Sequence, residues 1–241
     1  MTKKIHVCIC CRNEVNADSF GTIAAALLDG ADYWKHRFGK ESTFRLKTIA
    51  RMHVVDARSN LLDSAVNDEA DYVLWLDDDM APTTNVLEQL MEDLDAHPEY
   101  DYMGAMCFKK SPPFGPCAFA FVDKKDDPCW IEPEPARIAQ VGITGFACLL
   151  AKVPAMKAVR EATEGQPFIY RRDLGEDGYF FNCAYRIGQK VAVNTGLICG
   201  HVGTATYNKS TCDAYRKVAP DVNAKFAPLD FPAVPTPVAV P

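Results

Sequence analysis

Three aspartates, Asp77, Asp78 and Asp79, follow directly on the apolar run "YVLWL". On an extended chain alternate residues point the same way, so Asp77 and Asp79 can converge on one point. Two hard carboxylates at that spacing suit Mg2+ or Mn2+ held jointly with the phosphates of a substrate. A divalent cation would also relieve the mutual repulsion of three adjacent carboxylates. The competing reading is a strand that stops in solvent, with acids near the start of the next helix. A second candidate is the pair Glu176-Asp177, which opens "GEDGYFFNCAYRIG". Acids at a helix start satisfy free N–H groups and suit the dipole. The same setting keeps a carboxylate ionised near neutral pH, as a general base requires. His201 follows the apolar "LIC" and is bracketed by Gly200 and Gly203, where backbone could approach a ligand. It could equally be an ordinary core or surface histidine. In "GITG", Gly142 and Gly145 permit close approach and Thr144 can hydrogen-bond, although a plain turn needs the same glycines. Trp130 could stack on a sugar ring or a base, or fill the core.

These residues need elements to hold them. Ile5–Cys10 reads as a buried strand, and Ala17–Leu28 as a helix with Phe20, Ile23, Ala24, Leu27 and Leu28 on one face. Phe44–Ile49 alternates as a strand. Asp56 is expected to cap a helix that buries Leu61, Leu62, Ala65 and Val66. Tyr72–Leu76 is the strand that leads into the aspartates. Thr83 or Thr84 caps a helix with Val86, Leu87, Leu90, Met91 and Leu94 inward, and His97-Pro98 ends it. This β-α-β-α-β-α order predicts a parallel sheet with crossover helices over the first hundred residues. In such sheets ligands bind beyond the carboxyl ends of the strands, where the aspartates fall.

The second half is mixed. Strands are expected at Tyr102–Phe108, Cys117–Val122, Ile138–Val141, Phe146–Leu150 and Lys190–Val193, with "KKSPPFGP" a loop and "DKKDDP" a turn. Val153–Ala162 reads as a helix. So does the GEDG segment, with Tyr179, Phe180, Cys183, Ala184 and Ile187 on one face and Gly188 just past its end. Six of the 16 prolines fall in residues 220–241, which excludes a helix or a central strand there.

Several phosphate chemistries are excluded by position. A haloacid-dehalogenase-like phosphatase wants its DxD on the first strand with Thr or Val two residues after the second acid. Here the motif lies on the third strand and Ala81 stands in that place. Neither GxGxxG after the first strand nor GxxxxGK[ST] is present. The Gly-rich, Arg- and Lys-bearing loop of a sugar-nucleotide pyrophosphorylase is also missing.

The ordered set "ARSNLLDSAVNDEADYVLWLDDDM", "VGITGFACLL", "GEDGYFFNCAYRIG" and "CGHVG" resembles the GT-A glycosyltransferases, over about residues 5–203. The look-alikes are small single-domain enzymes of bacterial or phage type. The resemblance implies an α/β fold with a Rossmann-like, mainly parallel mixed sheet, flanking helices and hairpin additions in the C-terminal half. It also implies a nucleotide-sugar donor, UDP-sugar favoured, over the first half of the sheet. The loop from Cys10 through Arg12 to Asn13 would lie by the nucleoside, although Cys10-Cys11 departs from the Pro-Thr often found there. Arg58 would lie near the nucleotide. Asp77 would face the ribose or the metal, Asp79 would ligate the metal, and Asp78 would face the donor side and support the turn. His201 would complete the metal shell. Asp177, with Glu176 beside it, would be the base of an inverting enzyme. In a retaining one these acids would bind sugar. Thr144 and Gly145 would lie beneath the transferred sugar.

The length of 241 residues allows one α/β domain or two, and 48% hydrophobic and 24% charged residues are ordinary for a soluble globular protein. We divide the chain into a nucleotide-binding half (1–100), an acceptor-binding half (101–213) and a Pro-rich tail (214–241). The net charge of −6 provides no basic field for nucleic acid or anionic membrane. No apolar run approaches the ~20 residues of a membrane span, and no leader pattern is present, so a cytoplasmic enzyme is expected. The ten cysteines show no disulfide framework, and no CxxC or His pair completes a zinc site with Cys8, Cys10 and Cys11. They read as buried reduced thiols. The acceptor (a carbohydrate, a protein or a modified nucleic-acid base) and the oligomeric state are not legible. Two other readings stand beside the transferase: a metal-dependent phosphohydrolase acting on nucleotides, and a non-catalytic nucleotide-sugar-binding protein.

Overall fold

The computed structural model describes residues 2–11, 15, 17–120, 129–172 and 174–226. Arg12, the "DKKDDP" turn and the Pro-rich end beyond residue 226 lie outside them. In the first half the elements are β1 (Lys4–Cys11), α1 (Ala17–Phe38), β2 (Thr43–Ala50), α2 (Val54–Asn67), β3 (Tyr72–Asp77), β4 (Met80–Ala81) and α3 (Val86–Ala96). Then come β5 (Tyr102–Cys107), β6 (Ala118–Phe119), β7 (Ile138–Val141), β8 (Ile143–Thr144), β9 (Cys148–Lys152), α4 (Val153–Ala162) and α5 (Gly175–Arg186). The last are β10 (Val191–Val202), β11 (Thr206–Tyr207), α6 (Lys209–Val218) and a 3-10 helix over Pro220–Lys225.

The main sheet has the order β11-β10-β5-β9-β3-β1-β2. Strand β1 pairs in parallel with β2 and β3, and β5 with β10, while β9 lies antiparallel between β3 and β5. Five long strands therefore run one way; β9 runs against them in the middle of the sheet, and the short β4, β7 and β11 pair antiparallel with β10. Alternation sorts the side chains to two faces. Val73 and Trp75 point into one core with the apolar sides of α2, α4 and α5, and Leu74 and Leu76 into the other with α1 and α3. The result is three layers, helix on sheet on helix.

Several expectations are corrected. Helix α1 continues to Phe38 and buries Ser19, Ile23, Ala26, Gly30 and Trp34, leaving Phe20 and Leu28 exposed. Gly30 does not stop it. A Cβ there would meet Leu87 at 3.3 Å, so the bare backbone lets α1 pack closely on α3. Helix α2 starts two residues before Asp56, with His53 at its cap, and Asn85 rather than Thr83 or Thr84 caps α3. Helix α5 buries Gly178, Phe180, Phe181 and Ala184, and Ile187 is exposed. The tail expected from residue 214 begins inside α6, and Pro220–Lys225, where a helix was excluded, forms a 3-10 helix because Pro220 stands at its start, where the missing N–H is tolerated.

Strand β10 is three times its expected length. Its register on β5 shifts between Asn194 and Ile198, a bulge in which Asn194 Oδ1 accepts the N–H groups of Gly196 and Leu197 at 2.9 and 3.1 Å. Beyond it Ile198 and Cys199 rejoin β5, and Gly200 and His201 pair with Ala81 and Met80 of β4.

Candidate active site

The site lies at the carboxyl edge, where β1 and β3 end side by side with Cys10 opposite Asp77. A cleft of roughly 340 Å³ opens there, lined by Cys10, Cys11, Arg58, Asp77, Asp78 and Asp79. Glu176 and Asp177 join them from the first turn of α5, and Met52, His53 and Val54 from the entry to α2. Eight of the residues singled out from the sequence thus meet in one place.

Arg58 is the hub. It is 2% exposed, which is unusual for an arginine, and projects from α2 toward three carboxylates. Its guanidinium donates to Asp77 at 3.2 Å, to Glu176 at 2.9 Å, and to Asp177. The cation also lies over the Phe146 ring, 5.1 Å from its centroid. Burial works against the charge on Arg58, but the three acids outweigh it and raise its pKa. One cation against three carboxylates leaves negative charge in excess. Asp177 absorbs the imbalance. Burial, opposed by Arg58 and reinforced by Glu176 and Asp77, pushes its carboxyl up to about 7. The helix start was expected to keep this acid ionised; desolvation and like charge prevail instead. The neighbouring Cys10 thiol is pushed up to about 12 by burial, so it is uncharged at neutral pH.

A second cluster forms around Asp79. The β10–β4 pairing brings His201 Nε2 within 3.2 Å of Asp79 Oδ1, and the Val202 N–H donates to the Asp79 carbonyl at 2.7 Å. Lys110, from the loop after β5, donates to Asp79 Oδ2. Burial raises the Asp79 pKa, but its bonds to His201 and Lys110 prevail and hold it at about 2.

A divalent cation can be tested against this geometry. Among the described residues no three His, Cys, Asp or Glu side chains converge to hold a metal ion by themselves. Mg2+ and Mn2+ do not require three, because they are commonly held by one or two protein groups plus substrate phosphates. The Phe108 carbonyl lies 2.9 Å from His201 Nδ1, and a carbonyl only accepts, so Nδ1 carries a proton there. That directs Nε2 at the Asp79 carboxylate, the arrangement in which outer partners orient metal-binding histidines. A ring nitrogen lone pair facing a carboxylate oxygen needs a positive centre, a proton or a metal ion. Asp79 and His201 therefore fit a divalent ion, while Asp77 is turned toward Arg58.

Of the remaining sequence candidates, Thr144 and Trp130 fall elsewhere. Thr144 is buried and spends its hydroxyl on the Cys117 carbonyl. Gly145 borders the base candidate: a Cβ there would lie 3.6 Å from Asp177 Oδ2. Trp130 is buried away from the cleft against Gly115 and Phe226. Arg12 is not among the described residues. Met52, His53 and Val54 escaped the sequence reading, although residues just past a parallel strand are the ones that reach the ligand edge.

The sequence matches no family model and no curated protein. Solved structures do match. A197 from STIV aligns over 84% of this chain and 86% of its own, at 16% identity and TM-score 0.55. GalNAc-T7, solved with UDP, GalNAc and Mn2+, aligns over 90% of this chain at 11% identity and TM-score 0.55. The fold is GT-A. This chain spans only 48% of the GalNAc-T7 chain. S. aureus TarS, solved with UDP-GlcNAc, aligns over 80% of this chain and 56% of its own at 16% identity and TM-score 0.47.

Proposed function

We propose that the protein is a metal-dependent glycosyltransferase that moves a sugar from a nucleoside-diphosphate donor to an acceptor hydroxyl with inversion. One observation carries the reading. An acid held up to about 7, Asp177, shares a cleft with the Asp77–Asp79 strand end and is joined to Asp77 through Arg58. A general base works best when its pKa lies near the operating pH. In this reading Asp177 takes the proton of the acceptor hydroxyl as that oxygen bonds to the anomeric carbon. The bond from that carbon to the diphosphate breaks, and the nucleoside diphosphate leaves. Glu176 supports the base through Arg58. Cys10, Cys11 and Met52 to Val54 line the place for the nucleoside, and Arg12 is the residue that follows β1 in the sequence. Asp79 and His201 hold Mg2+ or Mn2+, which when bound neutralises charge on the departing diphosphate. The UDP and Mn2+ in the GalNAc-T7 structure favour a UDP-sugar and a divalent ion here.

The test is nucleoside diphosphate release from a panel of UDP-, GDP- and TDP-sugars with Mn2+, with and without candidate acceptors. Sugar-dependent turnover that Asp177→Asn abolishes supports the reading. Hydrolysis of simple phosphate esters without sugar turnover points to a phosphohydrolase. UDP binding without any turnover points to a binding protein.

A further inference from the structure

Both oxygens of the Asp79 carboxylate are engaged, Oδ1 by His201 and Oδ2 by the Lys110 ammonium. Lys110 reaches Asp79 from a fixed loop, with its own side chain 41% exposed. Its loop is closed by the Lys109 N–H on the Gly115 carbonyl at 2.9 Å and the Phe114 N–H on the Ser111 carbonyl at 2.8 Å. Phe114 stacks on Tyr207, with centroids 5.3 Å apart and planes within 9°. The aliphatic stem of Lys110 runs past Gly203, where a Cβ would stand 3.3 Å from Lys110 Cδ and 3.2 Å from Tyr207 Cε2. The bare backbone at Gly203 therefore leaves the track along which the lysine reaches Asp79. A divalent ion on the same carboxylate would meet the ammonium as a like charge at contact distance.

We propose that Lys110 is the resident counter-ion of Asp79 in the donor-free protein and that a divalent ion competes with it for the carboxylate. The donor's diphosphate then supplies the displaced ammonium with a new anionic partner. Metal uptake is thereby tied to donor arrival. Without a diphosphate the ion displaces Lys110 with no compensation, whereas with one both cations find oxygens. The inference rests on the metal-diphosphate reading of the site.

Mn2+ titrated into nucleotide-free protein tests it, followed by calorimetry and by the paramagnetic signal of free Mn2+. Lys110→Met is expected to bind Mn2+ about tenfold more tightly than the unmodified protein, the scale of one charge-assisted hydrogen bond. Asp79→Asn is expected to bind none. With Mn2+ saturating, Lys110→Met is expected to bind UDP about tenfold more weakly, again one such bond. Equal or weaker Mn2+ binding by Lys110→Met, or no binding by either protein, overturns the competition. Equal or tighter UDP binding by Lys110→Met overturns the hand-over. If Lys110→Met tightens Mn2+ but no sugar is transferred, the counter-ion role stands and the transferase reading falls. If sugar is transferred and Lys110→Met leaves Mn2+ binding unchanged, the reverse holds.

Discussion

His201 stands opposite Met80 in the β10–β4 pair, and this register places its Nε2 3.2 Å from Asp79 Oδ1. The two residues are 122 positions apart in the chain, yet backbone pairing and the Val202–Asp79 bond fix them together. Asp79→Asn and His201→Ala are each expected to weaken Mn2+-dependent UDP binding by at least about tenfold, the loss of one charge-assisted contact. Asp78→Asn is expected to stay within about threefold, an effect of less than 1 kcal/mol. Calorimetric titration of the three variants checks the division. Damage from Asp78→Asn equal to that from Asp79→Asn would refute it.

Asp177 makes a prediction in pH. With its carboxyl at about 7, the fraction of ionised base grows as pH rises through that value. Turnover should therefore climb from pH 6 to 8 and level off, and Asp177→Asn should lose both the limb and about 10²–10⁴ in rate. Stability runs the other way. Between about pH 4 and pH 7 the folded protein holds a proton that the unfolded chain has released, so this group destabilises the fold as pH rises across that window and adds no slope above it. Activity that is flat from pH 6 to 8 would remove Asp177 from the base role.

Arg58 is the buried partner of three acids, and its loss leaves them unpaired. Arg58→Met is expected to cost about 3–5 kcal/mol in denaturant unfolding. Because Arg58 lowers the Asp177 pKa, the activity limb of any folded Arg58→Met protein should move to higher pH. Arg58→Lys should not rescue it, since one ammonium cannot reproduce a planar fork serving three carboxylates.

Trp130 and Gly115 form a packing pair. A Cβ at Gly115 would stand 2.6 Å from the indole, and a rigid ring cannot yield that space cheaply. Gly115→Ala should cost about 1–3 kcal/mol by overpacking. Trp130→Phe should lower Tm while leaving the acceptor KM unchanged. A raised KM at unchanged Tm would restore Trp130 to the acceptor site.

Much of this was legible in the sequence, for local reasons. Val153–Ala162 is a helix at the predicted bounds, since its apolar period and Pro154 at the start agree. The aspartates mark the end of β3 because a buried apolar run must stop before a charge cluster. Long-range pairing was not legible. The bulge at Asn194 hides the unity of β10, because the two parts of the strand are joined only by their common pairing on the distant β5. Arg58 was read as near the nucleotide, but its burial depends on acids 118 and 119 residues away. Lys110 was visible only as part of the KKSPPFGP loop, and its partner is set by the way Phe114 anchors that loop on Tyr207.

Strand β9 has a consequence for how the chain comes to its native state. It occupies the middle of the sheet, between β3 and β5, but is supplied only after 147 residues have been made. Until it docks, β3 and β5 each present an open edge at the centre of the molecule. A fragment ending near residue 100 would thus expose an unpaired hydrophobic strand and should aggregate rather than fold alone. The intact protein should unfold in a single transition and refold slowly, limited by a central pairing distant in sequence.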